Sequence, residues 1–211
     1  MKNKTRLNKL FASALVMGCT LGFASCDNDD TAAPPTIVST QSMYGDYTGV
    51  MTSLTIVPYE EESTDTPEGT AITATVDNDT IYLTDFPIKD IVLSIVGDET
   101  TADQIVEAVG QVDYKIGYTP TLSAAKDSIL FTLDPKPLKL SVNIPGTEEG
   151  ESLPTAIEIK VQAAEGANYE GKTTALKFGF QASEVLIGED QTPLEGFTPT
   201  TFDFTTVKSR K

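Results

Sequence analysis

Carboxylates are the only side chains in this sequence abundant enough to suggest catalysis. The 211 residues include 31 acidic residues, 15 basic residues and no histidine. Without histidine, a Ser-His-Asp triad, a Cys-His dyad and an imidazole metal site are all excluded. The acidic residues cluster in runs such as 60–62 and 148–149, which are typical of solvated loops, whereas a glycosidase holds two carboxylates about 5 to 10 Å apart across a cleft. We therefore expect no catalytic residues and no enzymatic activity.

Two shorter motifs resemble a metal site and a catalytic site, but each has a simpler explanation. Asp77, Asn78 and Asp79 supply oxygen atoms of the kind that calcium prefers, but the same residues are favoured in hairpin turns for backbone reasons. Ser123 and Lys126 have the Ser-x-x-Lys spacing of penicillin-binding enzymes, and the Ser-Asp-Asn and Lys-Thr-Gly tripeptides that accompany it do not occur. We therefore expect no metal site and no cofactor.

A cysteine near the N-terminus has the best-defined chemistry in the chain. Residues 1–9 contain four basic residues and no acidic one, and an apolar run follows over residues 10–24, as in a secretory signal peptide. The run ends at Phe23-Ala24-Ser25-Cys26, which resembles a lipobox, where the cysteine is acylated and becomes the new N-terminus. Cys19 is the rival site, and a plain secretory signal is the alternative. The sequence predicts a lipoprotein signal peptide over residues 1–25 and lipidation at Cys26.

The segment after Cys26 predicts where the protein is exported. Asp27, Asn28, Asp29 and Asp30 resemble the export signal that sends Bacteroidota lipoproteins to the outer face of the outer membrane. Residues 31–40 are rich in Pro, Ala and Thr, so we expect a disordered tether over residues 26–42. The expected location is the outer membrane, anchored by lipid and exposed at the cell surface, with its periplasmic face as the alternative.

Residues 43–211 are expected to form one β-domain. A 39% hydrophobic and 22% charged composition is globular, and a net charge of −16 disfavours binding to nucleic acid. Nine segments alternate between apolar and polar residues, as antiparallel strands with one solvated face do. The alternating apolar positions are Val50, Leu54 and Ile56; Ile72, Ala74 and Val76; Ile81 and Leu83; Val112, Tyr114, Ile116 and Tyr118; Ile129, Phe131 and Leu133; Leu138, Leu140, Val142 and Ile144; Ile157, Ile159, Val161 and Ala163; Leu176, Phe178, Phe180 and Ala182; and Phe202 and Phe204.

Two short helices are predicted between the third and fourth strands. The first lies between Pro87 and Gly97, because its apolar residues recur at helical spacing and proline and glycine mark its two ends. The second runs from Ala102 to Val109. Thr101 and Gln104 have the spacing of a capping box at its start, and Gly110 follows its end.

A family resemblance predicts how these strands are arranged. The run from Tyr44 to Met51, the run from Thr80 to Pro87 and the helical insert together are similar to calycin-like Bacteroidota lipoproteins of unknown function and about 200 residues, over residues 43–207. The resemblance implies an up-and-down meander of about eight or nine strands that closes into a lipocalin-like barrel. The alternation itself fits a β-sandwich equally well. The resemblance implies no activity.

The function expected from the sequence is therefore non-enzymatic. A lipid-anchored envelope protein that binds a small apolar ligand or a protein partner is the first hypothesis, with Tyr114 and Tyr118 as candidate ligand-lining residues or, alternatively, core residues. A structural or adhesive surface protein, or an accessory subunit of an outer-membrane complex, is the second. Three Asp-Thr or Asp-Ser pairs followed by a small or apolar residue resemble an O-glycosylation motif of exported proteins. Their candidate acceptors are Thr31, Thr80 and Ser128.

Overall fold

The computed structural model describes residues 36–55, 69–145 and 152–210, with the backbone alone at 143–145 and 152–153. Strands predominate, as expected from the Thr, Val, Ile and Phe content of the alternating segments. The strands are β1 (Gly45–Thr55), β2 (Thr70–Val76), β3 (Thr80–Leu83), β4 (Tyr114–Leu122), β5 (Ser128–Pro135), β6 (Leu138–Pro145), β7 (Ser152–Ala163), β8 (Asn168–Glu170), β9 (Ala175–Ile187), β10 (Thr192–Pro193) and β11 (Thr200–Lys208). The helices are a 3-10 turn at Thr40–Met43, α1 (Lys89–Val96) and α2 (Glu99–Val109).

Eight of these strands close into an antiparallel barrel. The order of neighbours is β11, β1, β2, β3, β4, β5, β8 and β9, and β9 pairs with β11 to complete the ring. Because β11 is hydrogen-bonded on both edges, the sheet closes on itself and does not stack on a second sheet. This confirms the predicted lipocalin-like barrel over the sandwich.

Two of the three remaining strands, β6 and β7, extend β5 and β8 past one end of the barrel, and the third, β10, pairs with β9. β5 leads into β6 after only two residues, Lys136 and Pro137, and β7 leads into β8 through a short connection. β5 pairs with β8 while β6 pairs with β7, so the two halves form one long, bent hairpin with a shift of register between them. β9 pairs with both β8 and β7. Counted as long strands, the chain is the predicted up-and-down meander.

The barrel interior is filled by aromatic and branched side chains. Phe86 follows β3 and lies at the centre, with its ring centroid 5.7 to 5.9 Å from those of Tyr114, Phe180 and Phe202. Phe178 stacks on Phe204 at 4.5 Å. Aromatic rings at such separations interact favourably beyond the burial of their area.

The prediction for β1 was wrong about which face is buried. Val50 and Leu54 point outward and are 44% and 55% exposed, whereas Tyr47 and Met51, of opposite parity, are each 1% exposed. Both parities of β1 carry apolar residues, so alternation alone does not select the inner one. The larger pair, Tyr47 and Met51, occupies the core because it removes more apolar area from water.

Both predicted helices form between β3 and β4. α1 ends at Gly97, whose φ of 69° is the left-handed conformation that glycine adopts at helix ends. α2 ends before Gly110 as predicted, but it begins three residues earlier than Ala102. Asp98, not Thr101, is its N-cap, and the Asp98 side chain accepts a hydrogen bond from the Thr101 backbone N–H at 2.8 Å. The Thr101 hydroxyl also donates to Asp98, at 2.7 Å, and the two bonds together hold the pKa of Asp98 below its usual range.

The described end of the predicted tether range packs on the barrel. The backbone N–H of Val38 donates to the carbonyl of Lys126 at 2.8 Å, and the Val38 side chain is buried. Met43, at the end of the 3-10 turn, is fully buried, and its carbonyl accepts from the hydroxyl of Tyr47 at 2.6 Å. Residues 36–42 therefore belong to the folded unit, and they cover the end of the barrel at which β1 begins.

Candidate functional site

Tyr114 and Tyr118 both lie inside the barrel. Their side chains are 4% and 5% exposed. The Tyr114 hydroxyl donates to the carbonyl of Lys136 at 2.6 Å, and the Tyr118 hydroxyl donates to the carbonyl of Asp77. Burial raises the pKa of each phenol well above its ordinary value. The two residues therefore occupy core positions. This is the second of the two interpretations that the sequence allowed, the first being that they line a ligand site.

Two of the three candidate glycosylation residues are described. Thr80 begins β3 and donates its hydroxyl to Asp79 at 2.8 Å, and Ser128 begins β5 and donates to Asp127 at 3.1 Å. Both residues are partly exposed, and each hydroxyl bonds to the preceding carboxylate at the surface. Ser123 and then Ser128 hold the pKa of Asp127 below its usual range by hydrogen bonding. Thr31, the acidic run Asp27–Asp30, Cys26 and Cys19 lie outside the described residues.

The short motifs take the structures expected of turns. Residues 77–79 connect β2 to β3, where the N–H of Asp77 donates to the carbonyl of Thr80 at 3.1 Å. Ser123 and Lys126 lie in the turn between β4 and β5, and Lys126 has a φ of 55°. Across residues 36–55, 69–145 and 152–210, no group of three or more Cys, Asp or Glu side chains is arranged to hold a metal ion.

A groove at the helix end of the barrel is the best candidate for a binding site. It lies where β1 ends, β11 begins and α1 crosses above them. Its volume is about 520 Å³, within the range of about 300 to 1,000 Å³ usual for small-molecule sites. The described residues that line it are Ser53, Thr55, Asp90, Leu93, Ser94, Gly97 and Thr198.

Hydrogen bonds between strand and helix organise this groove. The Ser53 hydroxyl, on the inner face of β1, donates to Oδ2 of Asp90 in the first turn of α1. The Ser94 hydroxyl donates to the carbonyl of Ile91 at 2.7 Å, and the hydroxyls of Thr55 and Thr200 lie 2.8 Å apart. The wall is therefore built from hydroxyl and carboxylate oxygens around one apolar side chain, Leu93.

Asp90 has no ion pair among the residues that the structure describes. Its neighbour in the chain, Lys89, forms a 2.6 Å ion pair with Asp103 of α2. Asp103 is also the largest cause of the raised pKa of Lys89. Lys89 is also within Coulombic range of Asp90, but its ion pair is with Asp103, so the half-buried Asp90 carboxylate is bonded to Ser53 without a salt bridge of its own.

No sequence signal identified this groove. Ser53 and Asp90 are 37 residues apart, and each has the type expected on a solvated strand or in a first helical turn. Only the crossing of α1 over the end of β1 brings them together. The predicted helical insert forms one side of the groove, but its sequence does not indicate which residues line it.

Comparisons with known proteins give a family but no activity. No α-helix in the described part of the chain is both long and apolar enough to cross a bilayer. No curated protein and no solved structure gives a significant match. Residues 42–187, more than half of the chain, match a family described as a domain of unknown function. The chain therefore belongs to this family, DUF4840.

Proposed function

We propose that this protein is a lipid-anchored lipoprotein of the cell envelope whose barrel domain has a non-enzymatic binding role. The observation that carries the anchor is the run Phe23-Ala24-Ser25-Cys26 at the end of a basic and then apolar segment. Two or three acyl chains on one cysteine anchor a soluble domain, because each buried methylene contributes about 0.8 kcal/mol.

Metabolic labelling with an alkyne-bearing fatty acid tests the anchor. We expect label on the wild type and on Cys19→Ser, and no label on Cys26→Ser, which would also leave the membrane fraction. The two variants remove the same atom seven residues apart, so each controls for the other. Label that disappears only in Cys19→Ser would move the anchor and reject Cys26.

The proposed location is the cell surface, supported by the acidic run Asp27–Asp30 next to the anchor. Replacing Asp27, Asp29 and Asp30 with Asn or Ser removes the charge and leaves the lipobox intact. Protease added to whole cells should digest the wild type and spare the replaced protein. Equal digestion of both would reject the acidic run as the export signal.

The binding role is placed outside the barrel lumen, because aromatic side chains fill the interior around Phe86. A protein partner, or a ligand held in a surface groove, fits this packing better than an apolar ligand in the lumen. Native mass spectrometry of the protein purified from its own envelope distinguishes these cases. A co-purified apolar molecule retained by the folded monomer would overturn the proposal of an external site.

One observation favours a structural or adhesive role as the second candidate. Among the described strands, β6 pairs only with β7, so its other edge carries no ladder. An edge strand of eight residues offers backbone groups to a strand from another chain. Ser141 lies on the exposed face of β6. The substitution Ser141→Pro removes one backbone N–H from this strand. It should abolish any concentration-dependent self-association seen by sedimentation, and association that is unchanged would exclude this edge.

Glycosylation is a further part of the proposal, with Thr31 as the preferred acceptor over Thr80 and Ser128. The latter two hydroxyls lie at the starts of strands and are already bonded to aspartates. Intact-mass measurement of the native protein should show a glycan mass that is lost in Thr31→Ala. An unmodified mass would reject all three residues.

A further inference from the structure

The groove at the helix end has a one-sided hydrogen-bonding capacity. A hydroxyl that has donated its hydrogen retains only lone pairs, and it then acts toward a ligand as an acceptor. Ser53 donates to Asp90, and Ser94 donates to the carbonyl of Ile91. Both hydroxyls therefore present acceptor oxygens, and the carboxylate of Asp90 accepts only. The groove is thus rich in acceptors, and the hydroxyls of Thr55 and Thr198 are the side-chain donors that remain among the described lining residues.

The charge of the groove also favours a ligand that donates hydrogen bonds and carries positive charge. Asp90 is the only charged residue among the described residues that line it. The nearby cation Lys89 is paired with Asp103, and the chain carries a net charge of −16. A negative field of this kind attracts cations and raises their local concentration. An anionic ligand would meet a carboxylate and, among the described lining residues, no cationic side chain to compensate it.

We propose that this groove binds the primary ammonium group of a small organic amine. An ammonium has three donors and no acceptor, which complements Asp90, Ser53 and Ser94. The hydrocarbon next to the ammonium lies against Leu93, the apolar member of the wall. The Ser53 hydroxyl holds Oδ2 of Asp90 in place, so that Oδ1 is left for the ligand.

Two other ligand classes fit the groove less well. A neutral sugar offers as many acceptors as donors, and the groove has few donors with which to meet them. A divalent metal such as calcium takes six to eight oxygen ligands, commonly from several carboxylates. The groove supplies one carboxylate, and no metal-ligating cluster occurs among the described residues.

This inference names a ligand class for the proposed binding role, and it does not depend on the lipid anchor. Titration of the isotope-labelled protein with n-hexylamine at neutral pH, followed by amide NMR, tests it. The matched neutral probe is 1-hexanol, which has the same chain and no charge. We expect saturable shifts centred on Ser53, Asp90, Leu93, Ser94 and Gly97 with the amine, and none of comparable size with the alcohol.

Two carboxylate variants locate the charge. Asp90→Asn preserves the shape and the acceptor for Ser53, and it should weaken amine binding by about tenfold or more, as expected for the loss of a hydrogen bond to a charged group. Glu99→Gln removes one charge from the first turn of α2 and should leave the affinity within about twofold, since only the long-range field changes. A melting curve establishes that each variant is folded.

Four results would overturn the inference. They are equal binding of the alcohol, shifts spread over the acidic surface, an unchanged affinity in folded Asp90→Asn, and saturable displacement of the amine by calcium chloride. None of these results bears on acylation at Cys26. Conversely, failure of the fatty-acid labelling leaves the groove intact, so the two proposals fail separately.

Discussion

The hydroxyl of Tyr114 fastens the corner at which β5 turns into β6. It donates to the carbonyl of Lys136 at 2.6 Å, between two prolines that cannot donate to the sheet. In Tyr114→Phe this carbonyl loses its partner, so we expect the free energy of unfolding to fall by about 1 to 3 kcal/mol. Urea unfolding measures this. Tyr44→Phe, which removes an exposed bond to Asn78, should change stability by less than about 0.5 kcal/mol.

Single residues also mark the limit of what the sequence predicts about sites. The core position of Tyr114 follows from its parity with Val112 and Ile116, which is visible in the sequence. The pairing of Ser53 with Asp90 is not, because neither residue has a partner at a local spacing. A site assembled by a helix that crosses a strand end depends on tertiary geometry, and one sequence does not encode that geometry as a motif.

At the scale of the element, Gly49 allows β1 and β11 to approach closely. A Cβ at this position would overlap the carbonyl oxygen of Thr205 and lie 2.6 Å from the Cα of Thr206. Both contacts are backbone atoms, so relief requires movement of a strand. We expect Gly49→Ala to destabilise the barrel by about 1 to 3 kcal/mol or more, measured by thermal or urea unfolding. Gly117→Ala on β4, whose Cβ would lie 3.5 Å from the nearest atom, should be nearly neutral.

Phe86 connects the helical insert to the barrel. It immediately precedes Pro87 and α1, and its ring lies within 5.7 to 6.5 Å of four other aromatic rings. Phe86→Ala should cost about 3 to 5 kcal/mol and should speed amide hydrogen exchange in α1 more than in β5. Phe86→Leu keeps most of the volume and should cost about half as much or less. Uniform loss of protection in both elements would reject this local role.

The sequence predicts helices and strands well where the apolar residues follow one clear spacing. It predicts them poorly where two apolar patterns overlap. The helices between β3 and β4 were found because proline and glycine bracket a helical spacing. β1 was assigned the wrong face because Tyr47 and Met51 compete with Val50 and Leu54 for the inner side. The short strands β8 and β10, of three and two residues, are too brief for any period. The N-cap of α2 was missed because Asp98 and Thr101 are both good capping residues.

At the scale of the whole molecule, the two ends of the barrel differ. Residues 36–43 cover the end at which β1 begins. The groove, both helices and the extension formed by β6, β7 and β9 lie at the other end. The covered end and the end that carries the groove are thus opposite ends of the barrel.

Buried tyrosines from both ends make the whole barrel sensitive to alkali. Burial raises the pKa of Tyr47, Tyr114, Tyr118 and Tyr169 above the ordinary value of 10.0. A phenol whose pKa is higher in the folded state stabilises that state fully below pH 10, and this contribution is lost as the pH rises above 10. Each such tyrosine lowers the free energy of unfolding by about 1.4 kcal/mol per pH unit in that range.

We therefore expect cooperative unfolding above pH 10, with the tyrosinate absorbance of the four buried phenols appearing together with the loss of circular dichroism. The absorbance isolates the phenols, because the ionisation of other side chains leaves it unchanged. Tyr118→Phe should reduce the pH dependence of the unfolding free energy by about one proton, because one coupled group is removed. If the absorbance of all tyrosines rose near pH 10 while the circular dichroism remained native, the phenols would ionise within the folded barrel, and their burial would not resist alkali.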